Sequence, residues 1–336
     1  MSPRVLIAPD KFKGTATAID VVEIVGNVAK SLGWDSDGAP MADGGEGTLD
    51  VVGGAEKITE VTGPLGARVP AKWKLTAGHA LIEMSAASGL QLVGGAEGND
   101  PMAATTRGTG ELIAAAMVAG AKRISVGLGG SATTDGGLGA VEALRPHSRL
   151  KPIELTALVD VSTRFTDAAK VFGPQKGASK AQVAFLERRL SQLQGRYEEE
   201  FGVDVSVMPG AGAAGGLGGG LAAIGFDLVP GFEFLAETVG LGARIEAADL
   251  VITGEGRFDS TSLDGKVAGG VVDLAVVAGV PVVVLAGDVD VDPKQIPQSA
   301  EVVSLSSRFG KERSWADLQG CLVEAAEMVL SRHKPQ

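Results

Sequence analysis

The chain has 336 residues, 45% of them hydrophobic and 21% charged, which suits a folded protein of about two domains and excludes a disordered one. Lysine plus arginine number 30 against 41 acids, a net charge of −11 with no basic cluster, so neither nucleic acid nor an anionic membrane is an expected partner. A single cysteine, Cys321, excludes an internal disulfide and a cysteine-based zinc site, and His79, His147 and His333 match no metal spacing.

Arg4 to Ala8 is a short apolar run suited to a strand buried on both faces. It is too short for a signal peptide, and a cytoplasmic protein is the expectation. Thr17 to Leu32 places Ile19, Val22, Val25, Val28, Ala29 and Leu32 at helical spacing. Asp35 to Met41 reads as the next strand and Gly45 to Val52 as a short helix. This β-α-β-α opening is typical of a parallel sheet. Lys57 to Val61, Val69 to Leu75 and Ala80 to Met84 are strands without intervening helices, hence a meander. A helix from Gly110 to Ala119, a strand from Arg123 to Val126, a helix at Leu138 to Leu144 and a strand from Ile153 to Val159 follow. Ala181 to Phe201 is a long charged helix, and Val203 to Val207 reads as a strand before the glycine-rich stretch Gly210 to Gly220.

The βα rhythm then returns. Phe232 to Val239, Val267 to Ala278 and Trp315 to Leu330 are helices; Leu250 to Ile252, Val282 to Leu285 and Glu301 to Leu305 are strands. The most apolar stretch, Val271 to Gly287, is interrupted by Asp273, Gly279 and Pro281 and is not a membrane span. The predicted architecture is α/β: a discontinuous doubly wound (Rossmann/flavodoxin-like) parallel-sheet domain, 1–54 and 230–336, with an inserted mixed α/β domain, 55–229, and an active site between them.

Five glycine-rich segments follow predicted strands: Asp10 to Thr15, Met41 to Thr48, Gly127 to Gly137, Gly210 to Gly220, and Thr253 to Asp259 closed by Lys266; all but Gly210 to Gly220 carry acids, lysines or both. Ligands of open α/β sheets bind at the carboxyl ends of strands, and glycines let backbone amides approach a phosphate. One such segment is ordinary turn punctuation; five together point to a site. Gly210-x-Gly212-x-x-Gly215 and, in looser form, Gly127-x-Gly129-x-x-Ala132 match the dinucleotide fingerprint formally; in the first, Pro209 precedes the motif, glycines continue through the helix, and Glu233 and Asp227 do not close a convincing second strand. A Walker A motif is absent. With no reactive cysteine, His–carboxylate array or nucleophile elbow, acyl transfer has little to use. Carboxylates, lysines, hydroxyls and amides remain, the parts of Mg²⁺-assisted phosphoryl transfer.

Nine ordered segments between Val5 and Leu305 resemble the type I glycerate kinase family. They include Ala8-Pro9-Asp10-Lys11-Phe12-Lys13-Gly14-Thr15, Met41 to Thr48, Glu83 to Leu90, Thr105-Thr106-Arg107-Gly108-Thr109-Gly110-Glu111-Leu112, Gly129 to Gly137, Val171-Phe172-Gly173-Pro174-Gln175-Lys176-Gly177-Ala178, Pro209 to Gly216 and Ile252 to Asp259. The resemblance implies ATP-dependent phosphorylation of D-glycerate, with ATP and Mg²⁺ as cofactors and 2-phosphoglycerate favoured over 3-phosphoglycerate. It implies a monomer or homodimer with small-molecule partners. The chain departs from the family in a shortened connection between Leu144 and Leu155, in Asp160 to Phe165, where the usual Asn and Pro are missing, and at Thr261.

On that resemblance, Asp43, Lys11, Asp10 and Asp135 are the catalytic candidates, with Asp43 first for general base or Mg²⁺ ligand. Lys13, Arg107, Gly129, Gly130, Ser131 and Lys266 are candidates for substrate or phosphate binding, and Glu255 and Asp259 for metal. Another small-molecule kinase of the homoserine/mevalonate type, suggested by Gly127 to Ala132, and a non-catalytic nucleotide- or acid-binding protein are the alternatives.

Overall fold

The computed structural model describes residues 2–263 and 265–334. Its strands are β1 (Arg4–Ile7), β2 (Asp35–Gly38), β3 (Ala55–Thr62), β4 (Arg68–Thr76), β5 (His79–Glu83), β6 (Arg123–Gly127), β7 (Glu154–Val159), β8 (Asp227–Pro230), β9 (Leu250–Asp259), β10 (Val282–Asp290) and β11 (Ala300–Ser304). They form two sheets, and the chain divides into two compact units, Met1–Asp43 with Phe232–Gln336, and Gly44–Gly231. The first unit thus ends at Asp43 rather than at 54, ahead of the short helix Thr48–Val51.

The first unit is built on a five-stranded, wholly parallel sheet in the order β11-β10-β9-β1-β2. Counted within the unit, this is the flavodoxin-like order, with its switch point between β1 and β9. Continuous apolar runs are what such strands require, because helices cover both faces. Val5, Ile7, Leu250, Ile252, Val283 and Leu285 are buried with helices Ala18–Ser31 and Leu318–His333, while Leu6, Val251 and Val284 point to the opposite face. Thr17 starts the first helix with a reciprocal capping box: its hydroxyl accepts from Asp20 N at 3.1 Å and its own N–H donates to the Asp20 carboxylate at 2.8 Å.

The second unit has a six-stranded sheet, β3-β4-β5-β6-β7-β8. Its first three strands are the antiparallel meander read from their helix-free spacing; the rest run parallel. The strand expected at Val203 to Val207 is instead a 3₁₀ turn at Val205–Val207. The Asp204 carboxylate accepts from the Ser206 N–H at 2.9 Å and from its hydroxyl at 2.6 Å, offering this backbone a turn in place of a ladder. The sheet takes β8 as its edge instead.

The stretch from Gly210 to Gly220 is not an open ligand loop. Ala213–Ala223 is helical with a left-handed break at Ala214, Gly215 and Gly216, and all of it is buried. A Cβ on Gly216 would lie 2.8 Å from the Gly136 Cα, so the glycines here serve close backbone packing, and the fingerprint reading of Gly210 to Gly215 falls away.

Candidate active site

The first unit holds seven of the sequence candidates: Asp10, Lys11 and Lys13 after β1, Asp43 after β2, and Glu255, Asp259 and Lys266 along and after β9. The Asp10 N–H donates to Gly254 O at 2.8 Å, and Met41 N–H to Pro9 O at 2.9 Å, so the segment after β1 is laced to its neighbours on both sides. That lacing also brings in Asp43. The Lys11 ammonium lies 3.9 Å from both the Asp10 and the Asp43 carboxylates. The Asp10 carboxylate further accepts from the Lys11 N–H at 2.7 Å.

Glu255 and Asp10 are the two acids in this cluster with weakened acidity. Burial pushes Asp10 up from 3.8 to about 6; Lys11 opposes the shift and Asp43 adds to it. Burial pushes Glu255 up from 4.5 to about 7; the Ser262 hydroxyl opposes the shift, and the charge on Asp10 adds to it. Glu255 Oε1 is buried, with no hydrogen-bond partner among the described residues. Asp259 differs: its carboxylate accepts from the Thr261 hydroxyl at 2.7 Å and N–H at 2.9 Å, which holds it below the usual carboxylate range. Thr261, where the chain departs from the family, thus occupies this candidate metal ligand. Lys266 sits at the N-terminal boundary of helix Val267–Ala278, and its charge acts on Asp10, Glu255 and Asp259. Lys13 lies exposed on the same loop as Lys11.

The second unit carries Gly129, Gly130, Ser131, Asp135 and Arg107. Gly129 is required by close approach, since a Cβ there would sit 2.7 Å from the Gly45 Cα. Gly130 turns the chain with φ +66°, and the loop then pairs with residues 88–90: Leu90 N–H donates to Gly130 O at 2.8 Å and Ala132 N–H to Ser88 O at 2.9 Å. The N–H groups of Gly129, Gly130 and Ser131 donate to no described residue. Successive free amides around a left-handed residue make an anion-binding concavity.

Asp135, a catalytic candidate in the sequence, holds its own loop. It is 3% exposed and accepts four hydrogen bonds, from Thr106 N and Oγ1 (both 2.9 Å), Gly137 N (3.1 Å) and Gly139 N (3.2 Å). Its carboxylate is filled by the loop it holds. Arg107 is spent on Glu111, with Nε 3.1 Å from Oε1, on the exposed face of helix Arg107–Val118.

Two residues escaped the reading for roles. Lys176 is 2% exposed and donates to Ser131 Oγ at 2.7 Å and Thr133 O at 2.6 Å. Glu83, also buried, accepts from Gly47 N at 3.1 Å and Leu49 N at 2.7 Å, holding the start of the short helix. Both lie inside segments that carried the family resemblance.

A profile of the glycerate kinase family matches residues 5–147 and 145–334. The chain belongs to the glycerate kinase family. The two matched stretches meet inside the connection read as shortened. There the chain makes only the turn His147–Leu150 before β7. Glycerate 2-kinase of Escherichia coli (strain K12) is 39% identical over 329 residues, covering 86% of each chain. Glycerate kinase of Bacillus subtilis (strain 168) is 38% identical over 335 residues, covering 88% of this chain and 87% of that one. A crystal structure from Salmonella typhimurium LT2 assigned to glycerate kinase 2 is 33% identical, covers 99% of this chain and 98% of its own, and superposes with a TM-score of 0.82. The chain is therefore an enzyme of the kinase class, with the mixed α/β fold of that structure. Among the described residues no helix is long and apolar enough to cross a membrane.

Proposed function

We propose that the protein transfers the terminal phosphoryl group of ATP to the 2-hydroxyl of D-glycerate, giving ADP and 2-phosphoglycerate. The observation that carries this reading is the acid–lysine cluster at the switch point of a sheet whose family is that of glycerate kinases. The name of the Escherichia coli relative supports the 2-position.

Phosphoryl transfer asks a protein for position and for charge opposite the phosphate oxygens. Lys11, Lys13 and Lys266 supply the positive charge. Asp43, beside Lys11, takes the proton from the attacking hydroxyl, and Lys11 holds it in place. The free amides of Gly129, Gly130 and Ser131 receive an oxyanion of a substrate.

Mg²⁺ fits the remaining acids. Among the described residues no group of three or more His, Cys, Asp or Glu side chains is placed to hold a metal, and none is needed. Mg²⁺ is ordinarily held by one or two carboxylates with substrate phosphates and water. Asp10 and Glu255 are two desolvated carboxylates, and Glu255 Oε1 has no hydrogen-bond partner among the described residues. Bound there, the ion would neutralise phosphate charge. Asp259, occupied by Thr261, is the weaker candidate.

The test is ADP release with ATP, Mg²⁺ and D-glycerate, followed by phosphorus NMR of the product. A doublet from phosphate on the secondary carbon is expected. No ADP release above an inert-protein control, with several hydroxy acids tried, would sink the proposal; a 3-phosphoglycerate signal would correct its position.

A further inference from the structure

Lys176 stands out because a lysine ammonium is among the least tolerated groups in a protein interior. It is closed in by the Ser131 hydroxyl, the Thr133 carbonyl and the Phe172 ring, whose centroid is 6.0 Å from Nζ. Asn99 clamps the same place: its Nδ2 donates to Lys176 O at 2.9 Å and to Ala132 O at 3.0 Å. Asp135 is the charged group that acts on Lys176, and its carboxylate is already filled by four hydrogen bonds. The positive charge thus has no carboxylate in contact with it.

The groups above the lysine are also unfinished. Ser131 accepts from Lys176, and its own O–H donates to no described residue. Thr134 is 1% exposed, and its hydroxyl has no hydrogen-bond partner among the described residues. The N–H groups of Thr133 and Thr134, like those of Gly129 to Ser131, donate to no described residue. A buried cation, two hydroxyls and a run of amides in one loop are donors that suit the same partner, a negatively charged oxygen.

We infer that Lys176 is a positioning residue for an oxyanion site in the loop 129–134: it fixes the Ser131 hydroxyl as a donor and supplies the charge that draws a phosphate or carboxylate oxygen onto that hydroxyl and the amides. Within the phosphoryl-transfer reading, on which only the identity of the oxyanion rests, the occupant is a phosphate of ATP or the carboxylate of D-glycerate. Burial pushes Lys176 down from 10.5 to about 7, so its charge is present below neutral pH and lost above it in the empty protein. An anion bound at the site would restore that charge and so bind more weakly as pH rises through neutrality.

Calorimetric titration of the full chain, without metal, tests this using ATP, D-glycerate and sulfate as separate probes. Wild type is expected to bind at least one of them, with affinity falling several-fold between about pH 6 and 8.5. Lys176→Met is expected to weaken that probe at least ~10-fold at the lower pH, the other substrate staying within about twofold, and to lose the additional pH dependence seen in wild type. Ser131→Ala, which leaves the lysine in place, is expected to weaken the same probe and covers the case in which Lys176→Met does not fold. The probe affected identifies the source of the oxyanion. Wild-type affinities in both variants, a pH dependence unchanged by Lys176→Met, or a wild type that binds none of the three anions overturns the site. A wild type that binds an anion but releases no ADP keeps the site and removes the kinase reading.

Discussion

Glu255→Gln is expected to make the ligand-free protein more stable and less active. Glu255 titrates near 7 in the fold against an ordinary 4.5, mainly because it is buried. Between those values the folded protein holds a proton that the unfolded chain has released, so stability falls as pH rises through this window and is level above it. The difference is about 2.5 pH units, which at ~1.4 kcal/mol each puts the destabilisation at about 3 kcal/mol near pH 8 as an upper figure. Near pH 5 it is about 1 kcal/mol, and below pH 4 it vanishes. Glutamine has the same shape without the charge and keeps an acceptor for Ser262. Urea unfolding followed by tryptophan fluorescence can read the change where it occurs, because Trp34 is buried in the core of the first unit and Trp73 in that of the second. The first-unit midpoint of Glu255→Gln should rise at pH 8 and converge with wild type as pH falls, while kcat drops at least ~10²-fold. A variant no more stable than wild type at pH 8, or one whose gain ignores pH, would refute the assignment of Glu255 as a charge held at a thermodynamic loss.

Asp43→Asn should lower kcat at least ~10²-fold with an unchanged circular dichroism spectrum; near-normal turnover would move the base to another acid. Chelation of divalent cations should abolish ADP release and added Mg²⁺ restore it, whereas turnover that persists in excess chelator would exclude the role given to Asp10 and Glu255. Gly129→Ala should weaken oxyanion binding or folding of the second unit, because its Cβ would sit 2.7 Å from the Gly45 Cα; a variant with wild-type stability and affinity would show that this loop can move aside.

The open parallel sheet was legible because its strands had to be apolar on both faces. Val5 to Ala8, Leu250 to Ile252 and Val282 to Leu285 say so residue by residue, and each lies where it was read. Burial does not mark how far a strand runs, however. β9 and β10 continue to Asp259 and Asp290 through partly exposed, glycine-interrupted segments held by pairing with each other. The glycine-rich stretch misled for a related reason. Composition reports that backbones approach closely at Gly210 to Gly220, but whether the approaching group is a phosphate or another backbone depends on tertiary neighbours. Here they are the loop around Gly136 and the Phe165 ring.

The same ambiguity separates the candidates of the first unit from those of the second. Asp10 and Asp43 follow β1 and β2, and Glu255 lies on β9, the other neighbour of β1, so strand order alone places them on adjacent strands, and a reading of polar residues after apolar runs finds them. Asp135 and Lys176 cannot be sorted that way. Both are charged residues in the neighbourhood of one glycine loop, and an acid beside Gly136 looks as catalytic in sequence as a lysine after Pro174-Gln175 looks structural. Hydrogen bonding reverses that impression. Four donors converge on Asp135 and satisfy it, whereas Lys176 is enclosed by a hydroxyl, a carbonyl and a ring that leave its charge without a partner in contact. The hydrogen bonds that a buried charge accepts show what it holds, and a buried charge without a counter-ion is a candidate for binding one. In the proposed oxyanion site it is therefore Lys176, and not Asp135, whose charge would meet the ligand, although only the acid is conspicuous in the sequence.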